Sequence, residues 1–133
     1  MGRPRRRPGV SIDEGLYAWI EEALEPLGVV ARRAMMGGAT LYLDGIVFAI
    51  LGEGELYFKA DAETDAAWDA VGAARFTAEM AGRIATMNYR RAPSEVHDDG
   101  EEMVRWARLA VAAGQRAAAR KKPRTPRRKK TVS

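Results

Sequence analysis

The first hydrophobic residues after an arginine- and proline-rich start recur at three- and four-residue steps, from Ile12 to Leu24. This spacing is typical of the apolar face of a helix, and the acidic residues between them fall on the opposite face. Ser11-Ile12-Asp13-Glu14 matches a capping box, in which the serine and glutamate side chains bind free amides at a helix start. Pro26 and Gly28 end the pattern. We therefore predict a helix over residues 12–25.

The spacing of apolar residues then changes to that of strands. Short runs of β-branched and aromatic residues, separated by glycines, occupy positions 29–35, 40–43, 46–51 and 55–59. Asp44-Gly45 lies between the second and third runs and is a strong signal for a two-residue hairpin turn, because both turn positions need a positive φ. These runs predict four antiparallel strands.

The second half of the chain predicts a short helix, a second hairpin and a long helix. Asp61 or Thr64 is placed to cap a short helix that ends near Gly72, and positions 75–79 and 83–90 predict a second hairpin that Pro93 closes. A cap at residues 98–101 precedes a long helix that carries Trp106. The predicted fold class is α+β, an antiparallel β-sheet with helices packed on it, in the order α-β-β-β-β-α-β-β-α, and not a doubly wound parallel sheet.

Charge divides the 133 residues into three parts. All 18 acidic residues lie between positions 11 and 115, together with nine of the 22 basic residues, so this segment carries a net charge of −9. We predict one folded domain over 11–115, a disordered basic leader over 1–10 and a disordered basic tail over 116–133, because cations and prolines bury too little surface to become ordered.

The cations of the leader and tail are candidates for non-specific contact with nucleic acid, since flexible cations release counterions from a phosphate backbone. The alternative for the tail is a solubilising role or a fold back onto the acidic domain. The candidate residues are Arg5, Arg6, Arg7, Lys121, Lys122, Arg124, Arg127, Arg128, Lys129 and Lys130.

Missing residue types and patterns exclude several classes of protein. The chain has no cysteine, which excludes disulfides, thiolate metal sites and a cysteine nucleophile. No apolar run reaches the roughly 18 residues of a spanning helix, and no apolar signal segment follows the arginine-rich start. We expect a soluble, cytoplasmic protein that does not bind membranes.

Several segments, taken in order, resemble one family. Residues 32–49 read RRAMMGGATLYLDGIVFA, a methionine and Gly-Gly before a strand, an Asp-Gly turn and an apolar strand. Leu56-Tyr57-Phe58-Lys59, Met87-Asn88-Tyr89 and the helix around Trp106 follow. The series resembles the amino-terminal domain of the TfoX/Sxy competence-regulator family over about residues 12 to 113. The family motif residues are Met36, Gly37, Gly38, Asp44, Gly45, Lys59, Pro93 and Trp106.

The resemblance implies a compact α+β fold and a role in the regulation of competence or transcription, without catalysis or a cofactor. Full-length regulators of the family carry a second, helical domain, and this sequence has the basic tail in its place.

Other candidate chemistry has simpler structural interpretations. Gly37-Gly38 lacks the lysine and serine or threonine of a phosphate loop and predicts a bend at the sheet edge. His97 is the single histidine, so no histidine-based metal site is expected. Asp61, Glu63, Asp65 and Asp69 do not have the spacing of an EF-hand, and Asp65 and Asp69 fit a solvated helix face.

Lys59 lies in an apolar and aromatic run, where we interpret it as an edge-strand lysine that discourages sheet aggregation. A deep pocket lined by Lys59 or His97 with a shifted pKa would instead indicate an enzyme.

The strand aromatics allow two interpretations. One is a hydrophobic core, because a sheet of this size must bury one face, and the other is an exposed platform that stacks on single-stranded nucleic acid. The residues are Tyr42, Phe48, Tyr57, Phe58 and Tyr89.

Our leading hypothesis is a non-enzymatic regulatory or adaptor domain that binds a protein partner through its sheet edge or a helix, with basic arms adding weak contact to nucleic acid. The alternative is a nucleic-acid-binding accessory protein that acts through its tail while the folded domain forms a homodimer. No metal or cofactor is expected in either case. The pattern does not determine which sheet face is open.

Overall fold

The computed structural model describes residues 13–35, 37–80 and 82–121. Its first helix, α1, spans Glu14–Ala23. The N-cap is Asp13, whose carboxylate accepts a hydrogen bond from the backbone N–H of Leu16 at 3.0 Å. The cap therefore lies two residues after the serine of the predicted capping box, and Ser11 lies outside the described residues.

Six strands form one antiparallel sheet. They are β1 (Val30–Met35), β2 (Gly38–Leu43), β3 (Ile46–Gly52), β4 (Glu55–Lys59), β5 (Arg75–Met80) and β6 (Arg83–Arg91), in the spatial order β1-β2-β3-β4-β6-β5. Helix α2 (Asp65–Ala70) connects β4 to β5, and a 3₁₀ turn (Ser94–His97) leads from β6 into α3 (Gly100–Lys121). The α+β class and the order of elements are confirmed.

The turn between β2 and β3 forms as its residues predict. Asp44 has φ 48° and Gly45 has φ 87°, the positive values that a two-residue hairpin requires. The Asp44 carboxylate also accepts a hydrogen bond from the backbone N–H of Val29 at 2.9 Å, which holds the start of β1 against this turn.

Strand β4 lies inside the sheet, because β6 and not β5 pairs with it. Lys59 pairs with Tyr89 of β6. The interpretation of Lys59 as an edge-strand lysine is therefore wrong, and its position needs another explanation.

The helices pack against one face of the sheet. Trp68 of α2 lies between Phe58 of β4 and Trp106 of α3, with ring centroids 5.7 Å and 4.6 Å away. Ile20 and Leu24 from the first helical segment join the same buried cluster. This aromatic stack is the centre of the core.

Helix α3 continues to Lys121 and crosses β3 at Gly114. A Cβ at Gly114 would lie 2.2 Å from the carbonyl oxygen of Val47, so only glycine allows this close approach. The boundary predicted after residue 115 falls within the helix, and residues 116–121, which were assigned to the tail, belong to α3. The rest of the predicted tail and the whole leader lie outside the described residues.

None of the helices in the described part of the chain is long and apolar enough to cross a membrane.

Candidate functional site

The face of the sheet opposite the helices carries a second set of large side chains, and we call it the open face. Thr40 pairs with Ile50 and Ile50 pairs with Tyr57, so their side chains lie on one face. The same alternation adds Lys59 and its partner Tyr89. The large side chains of the open face are Arg33, Thr40, Tyr42, Val47, Ile50, Glu55, Tyr57, Lys59, Phe76, Met87, Tyr89 and Arg91.

Aromatic rings cover much of the open face. Tyr57 and Phe76 meet edge to face with ring centroids 4.9 Å apart. Tyr42, Tyr57 and Tyr89 are half-buried, whereas Phe48 and Phe58 are buried in the core. The core interpretation thus holds for Phe48 and Phe58, whereas the three tyrosines lie half-buried on the open face.

A pocket of about 650 Å³ lies where the end of α3 meets the open face. Thr40, Val47, Lys59 and Tyr89 line it from the sheet. Gly45 and Ile46 contribute from the β2–β3 turn, and Gly114, Ala117, Ala118 and Lys121 line it from α3. We call this site the cation pocket.

Lys59 is the central charge of the cation pocket. Its Nζ lies 5.1 Å from the centroid of the Tyr89 ring. Burial lowers the pKa of Lys59, and the nearby positive charges of Lys121 and Arg120 lower it further. The negative charge of Asp61 raises it and offsets only part of this decrease. Among the described residues, no carboxylate forms an ion pair with Lys59, Arg120 or Lys121. Lys59 and Lys121 thus line one pocket with the charge of Arg120 nearby and without a paired carboxylate among the described residues, and such a site favours an anion.

Burial also raises the pKa of Tyr89, and the nearby hydroxyl of Tyr42 raises it further. The Tyr89 phenol therefore stays neutral and can donate a hydrogen bond to an anion at physiological pH.

An ion pair fixes the end of α3 beside the cation pocket. Arg116 donates two hydrogen bonds to Asp61, from Nε to Oδ2 at 2.7 Å and from Nη2 to Oδ1 at 3.0 Å. Glu63 lies 3.5 Å from the same guanidinium. The hydrogen bond from Arg116 lowers the pKa of Asp61, and Thr64 adds to this effect. A residue assigned to the tail thus helps to position Lys121.

We expect Asp61→Asn to lower the free energy of unfolding at pH 7 but not at low pH. Because the folded-state pKa of Asp61 is lowered, its stabilising effect is present above the unfolded pKa of about 3.9 and is lost as pH falls through the folded value. Urea unfolding at pH 7, 4 and 3 measures the difference between the two proteins. Glu25→Gln is the matched control, and a difference that stays constant across this range would contradict the assignment.

The remaining carboxylates of the acidic segment bind a different arginine. Asp65 and Asp69 lie 3.1 Å and 2.9 Å from the guanidinium nitrogens of Arg90, which is 1% exposed. The interpretation as a solvated helix face fits Asp69, whose side chain is 67% exposed, but not Asp65, at 26%. Both carboxylates face a buried cation and join α2 to β6.

The other family motif residues have structural positions. Gly37 has φ 80° in the β1–β2 turn, and a Cβ at Gly38 would lie 2.1 Å from the carbonyl oxygen of Leu51. Pro93 precedes the 3₁₀ turn, and Trp106 lies in the core. Met36 lies outside the described residues.

One of the residues predicted to contact nucleic acid lies in the candidate site. Lys121 lines the cation pocket. Arg5, Arg6, Arg7, Lys122, Arg124, Arg127, Arg128, Lys129 and Lys130 lie outside the described residues. His97 is exposed, and the part of the chain that the structure describes holds no group of three residues that could bind a metal ion.

Sequence reasoning missed the cation pocket itself. Its walls come from β2, β3, β4, β6 and the end of α3, which are far apart in the chain. The available signal was the alanine-rich stretch around Ala117 and Ala118, whose small side chains leave room for Lys59 and Tyr89.

Comparison with known proteins gives a consistent result. The family model described as TfoX N-terminal domain matches residues 22–114. The DNA transformation protein TfoX1 of Aliivibrio fischeri is 33% identical over 66 residues, which cover 50% of this chain and 32% of that protein. Protein Sxy of Escherichia coli is 28% identical over 93 residues, 70% of this chain and 44% of Sxy. The matched region spans less than half the length of either relative.

Proposed function

The chain belongs to the family of TfoX N-terminal domains, and we propose on that premise that it is a non-enzymatic regulatory module that acts by binding through its open face. One relative is a DNA transformation protein by name. We extend that role to this chain as control of genes for competence, exercised by binding and not by catalysis.

The observation that carries the proposal is the open face with its cation pocket. The helices pack mainly on the opposite face, with the end of α3 reaching this one, which presents tyrosine rings and Lys59, a cation without an ion pair among the described residues. A sheet face with large side chains and concentrated charge is the form of a recognition surface.

The cation pocket does combine a lysine with a lowered pKa, which is the pattern that would indicate an enzyme. The lysine has no hydrogen bond to a nucleophile or to a second acid or base among the described residues, and the charges that lower its pKa are other cations. This arrangement suits anion binding better than proton transfer.

A protein partner has an accessible place to bind at the edge of the sheet. Residues 31–35 of β1 are exposed, and the outer side of an edge strand presents backbone donors and acceptors that another strand can pair with. We propose that the adaptor role uses this edge together with the open face.

The test of this function is complementation in a strain of the source organism that lacks the gene. We expect the deletion to change transcript levels and transformation frequency, and we expect the full chain to restore both. Tyr57→Ser, on the open face, is expected to fail, whereas Tyr17→Ser, a half-buried tyrosine on the helical side, restores them. Unchanged transcripts in the deletion strain, or full activity of Tyr57→Ser, would contradict the proposal.

A chain that ends at Lys121 separates the two hypotheses for the tail. This end keeps Arg116 and its ion pair with Asp61, which a cut after residue 115 would remove. Activity of the shortened chain supports the adaptor role, whereas complete loss with a folded protein supports the accessory role of the tail.

A further inference from the structure

We propose that the open face binds single-stranded nucleic acid, with a backbone phosphate in the cation pocket and bases against the tyrosine rings. This inference rests on the proposed function, which makes the open face a binding surface, and it adds the chemical class of the ligand.

First, the charges around the cation pocket favour a negatively charged ligand. Lys59 and Lys121 line the same pocket, and burial together with the charges of Lys121 and Arg120 lowers the pKa of Lys59. No described carboxylate is paired with any of the three. Tyr89 pairs with Lys59 on the same face, and its phenol lies near that of Tyr42. A ligand that supplies negative charge and accepts several hydrogen bonds relieves this repulsion, and a phosphate does both.

The second step is the arrangement of the rings. Tyr42, Tyr57, Tyr89 and Phe76 come from β2, β4, β6 and β5, so the rings are spread across the sheet, with β3 between the first two. Aromatic side chains on a sheet face stack on bases of any sequence. Bases in a duplex already stack on each other, so these rings can contact only unpaired bases.

The third step is the distribution of charge over the domain. Residues 13–121 hold 18 acidic and 12 basic residues, a net charge of −6, yet the open face carries Arg33, Lys59 and Arg91. Glu55 also lies on this face and is 3.5 Å from Arg91, which partly neutralises it. A polyanion is therefore repelled by most of the domain and attracted to this face.

The basic residues that follow Lys121 in the sequence favour nucleic acid over an acidic peptide as the ligand. Lys121 lines the cation pocket, and six of the next nine residues in the sequence are lysine or arginine. A strand with one phosphate in the pocket has further phosphates for these cations, and it also has bases for the rings, which an acidic peptide lacks.

Fluorescence anisotropy of the full chain with labelled 12-nucleotide dT and rU strands, and with a dT–dA duplex, tests this inference across a NaCl series. We expect tighter binding of the single strands than of the duplex at equal salt. Lys59→Met, which keeps the aliphatic stem, should weaken single-strand binding about tenfold and reduce the log–log salt slope by about 0.7, the value for one phosphate of a single strand.

Tyr57→Leu separates base stacking from charge. It should also weaken single-strand binding about tenfold, with the salt slope unchanged, because a base–ring contact involves no counterion. Duplex binding should change little in both variants. Arg108→Gln and Tyr17→Leu are matched controls on other surfaces, and circular dichroism verifies folding. Lys121→Gln, at the exposed helix end, gives a second test of the pocket if Lys59→Met does not fold.

Three results would overturn the inference. The first is wild-type affinity for single strands in all three variants, Lys59→Met, Lys121→Gln and Tyr57→Leu, and the second is an equal loss of affinity for single strands and for duplex. The third is that a 12-residue polyglutamate binds more tightly than the single strands and that its binding requires Lys59. The third result would identify an acidic protein segment as the ligand. Each leaves the regulatory proposal intact if complementation succeeds, so the two can fail separately.

Discussion

Asp65→Ala is expected to lower the free energy of unfolding by about 3 kcal/mol, because it leaves a buried guanidinium without its best-shielded partner. Arg90 is 1% exposed and binds Asp65 at 3.1 Å, Asp69 at 2.9 Å and the carbonyl oxygen of Ala73 at 3.0 Å. Asp69 cannot replace Asp65, since its side chain is 67% exposed and water screens its charge. Urea unfolding at pH 7 measures the loss.

Arg90→Met is the informative control, since it removes the buried charge and keeps most of the side-chain length. We expect a smaller loss than in Asp65→Ala, about 1–2 kcal/mol, because replacing a buried ion pair with an apolar side chain costs less than breaking it. The Nε of Arg90 has no hydrogen-bond partner among the described residues, so methionine breaks no hydrogen bond at that position of the side chain. A greater loss in Arg90→Met than in Asp65→Ala would contradict this account.

Local patterns were sufficient to predict the elements, because each signal acts within a few residues. Asp44-Gly45 forms its turn with the positive φ values that its residue types favour. The apolar periods locate α1 and the strands to within one or two residues at most ends. The cap is the exception: Asp13 lies two residues after the predicted serine, since an aspartate is an equally good N-cap.

The site could not be predicted, because it depends on strand order and on contacts across the chain. The second hairpin was visible in the sequence, but nothing local determines whether β5 or β6 pairs with β4. The pairing with β6 moves Lys59 from a presumed edge to the middle of the sheet. The same pairing places Tyr89 next to it and creates the cation pocket.

The end of α3 shows the same limit. The apolar pattern weakens near residue 116, yet the helix continues because Arg116 binds Asp61 and Gly114 allows the backbone of α3 to approach Val47. Both contacts join residues more than fifty positions apart. The spacing of apolar residues carries no information on these long-range contacts, and Arg116 was therefore assigned to the tail.

Trp106→Ala is expected to be the most destabilising single change, with a loss of about 3–5 kcal/mol in the free energy of unfolding. The Trp106 ring is 3% exposed and lies 4.6 Å from that of Trp68, in the stack that joins α2, α3 and β4. Its removal leaves a cavity beside Trp68, between α2 and α3. Since domains of this size have only about 5–15 kcal/mol of net stability, partial unfolding should be visible without denaturant as the temperature rises.

Trp106→Phe keeps a ring against Trp68 and should lose about half as much free energy of unfolding or less, since the cavity is smaller.

The same variant also tests how the core positions the binding surface. Lys121 lies 15 residues further along α3, about 22 Å at 1.5 Å per residue, so a tilt of the helix at Trp106 moves the wall of the cation pocket. A folded Trp106→Phe with wild-type binding of the 12-nucleotide strands would show that the ion pair between Arg116 and Asp61 is enough to hold that end of the helix. Weaker binding by a protein of near wild-type stability would show that the aromatic stack sets its position.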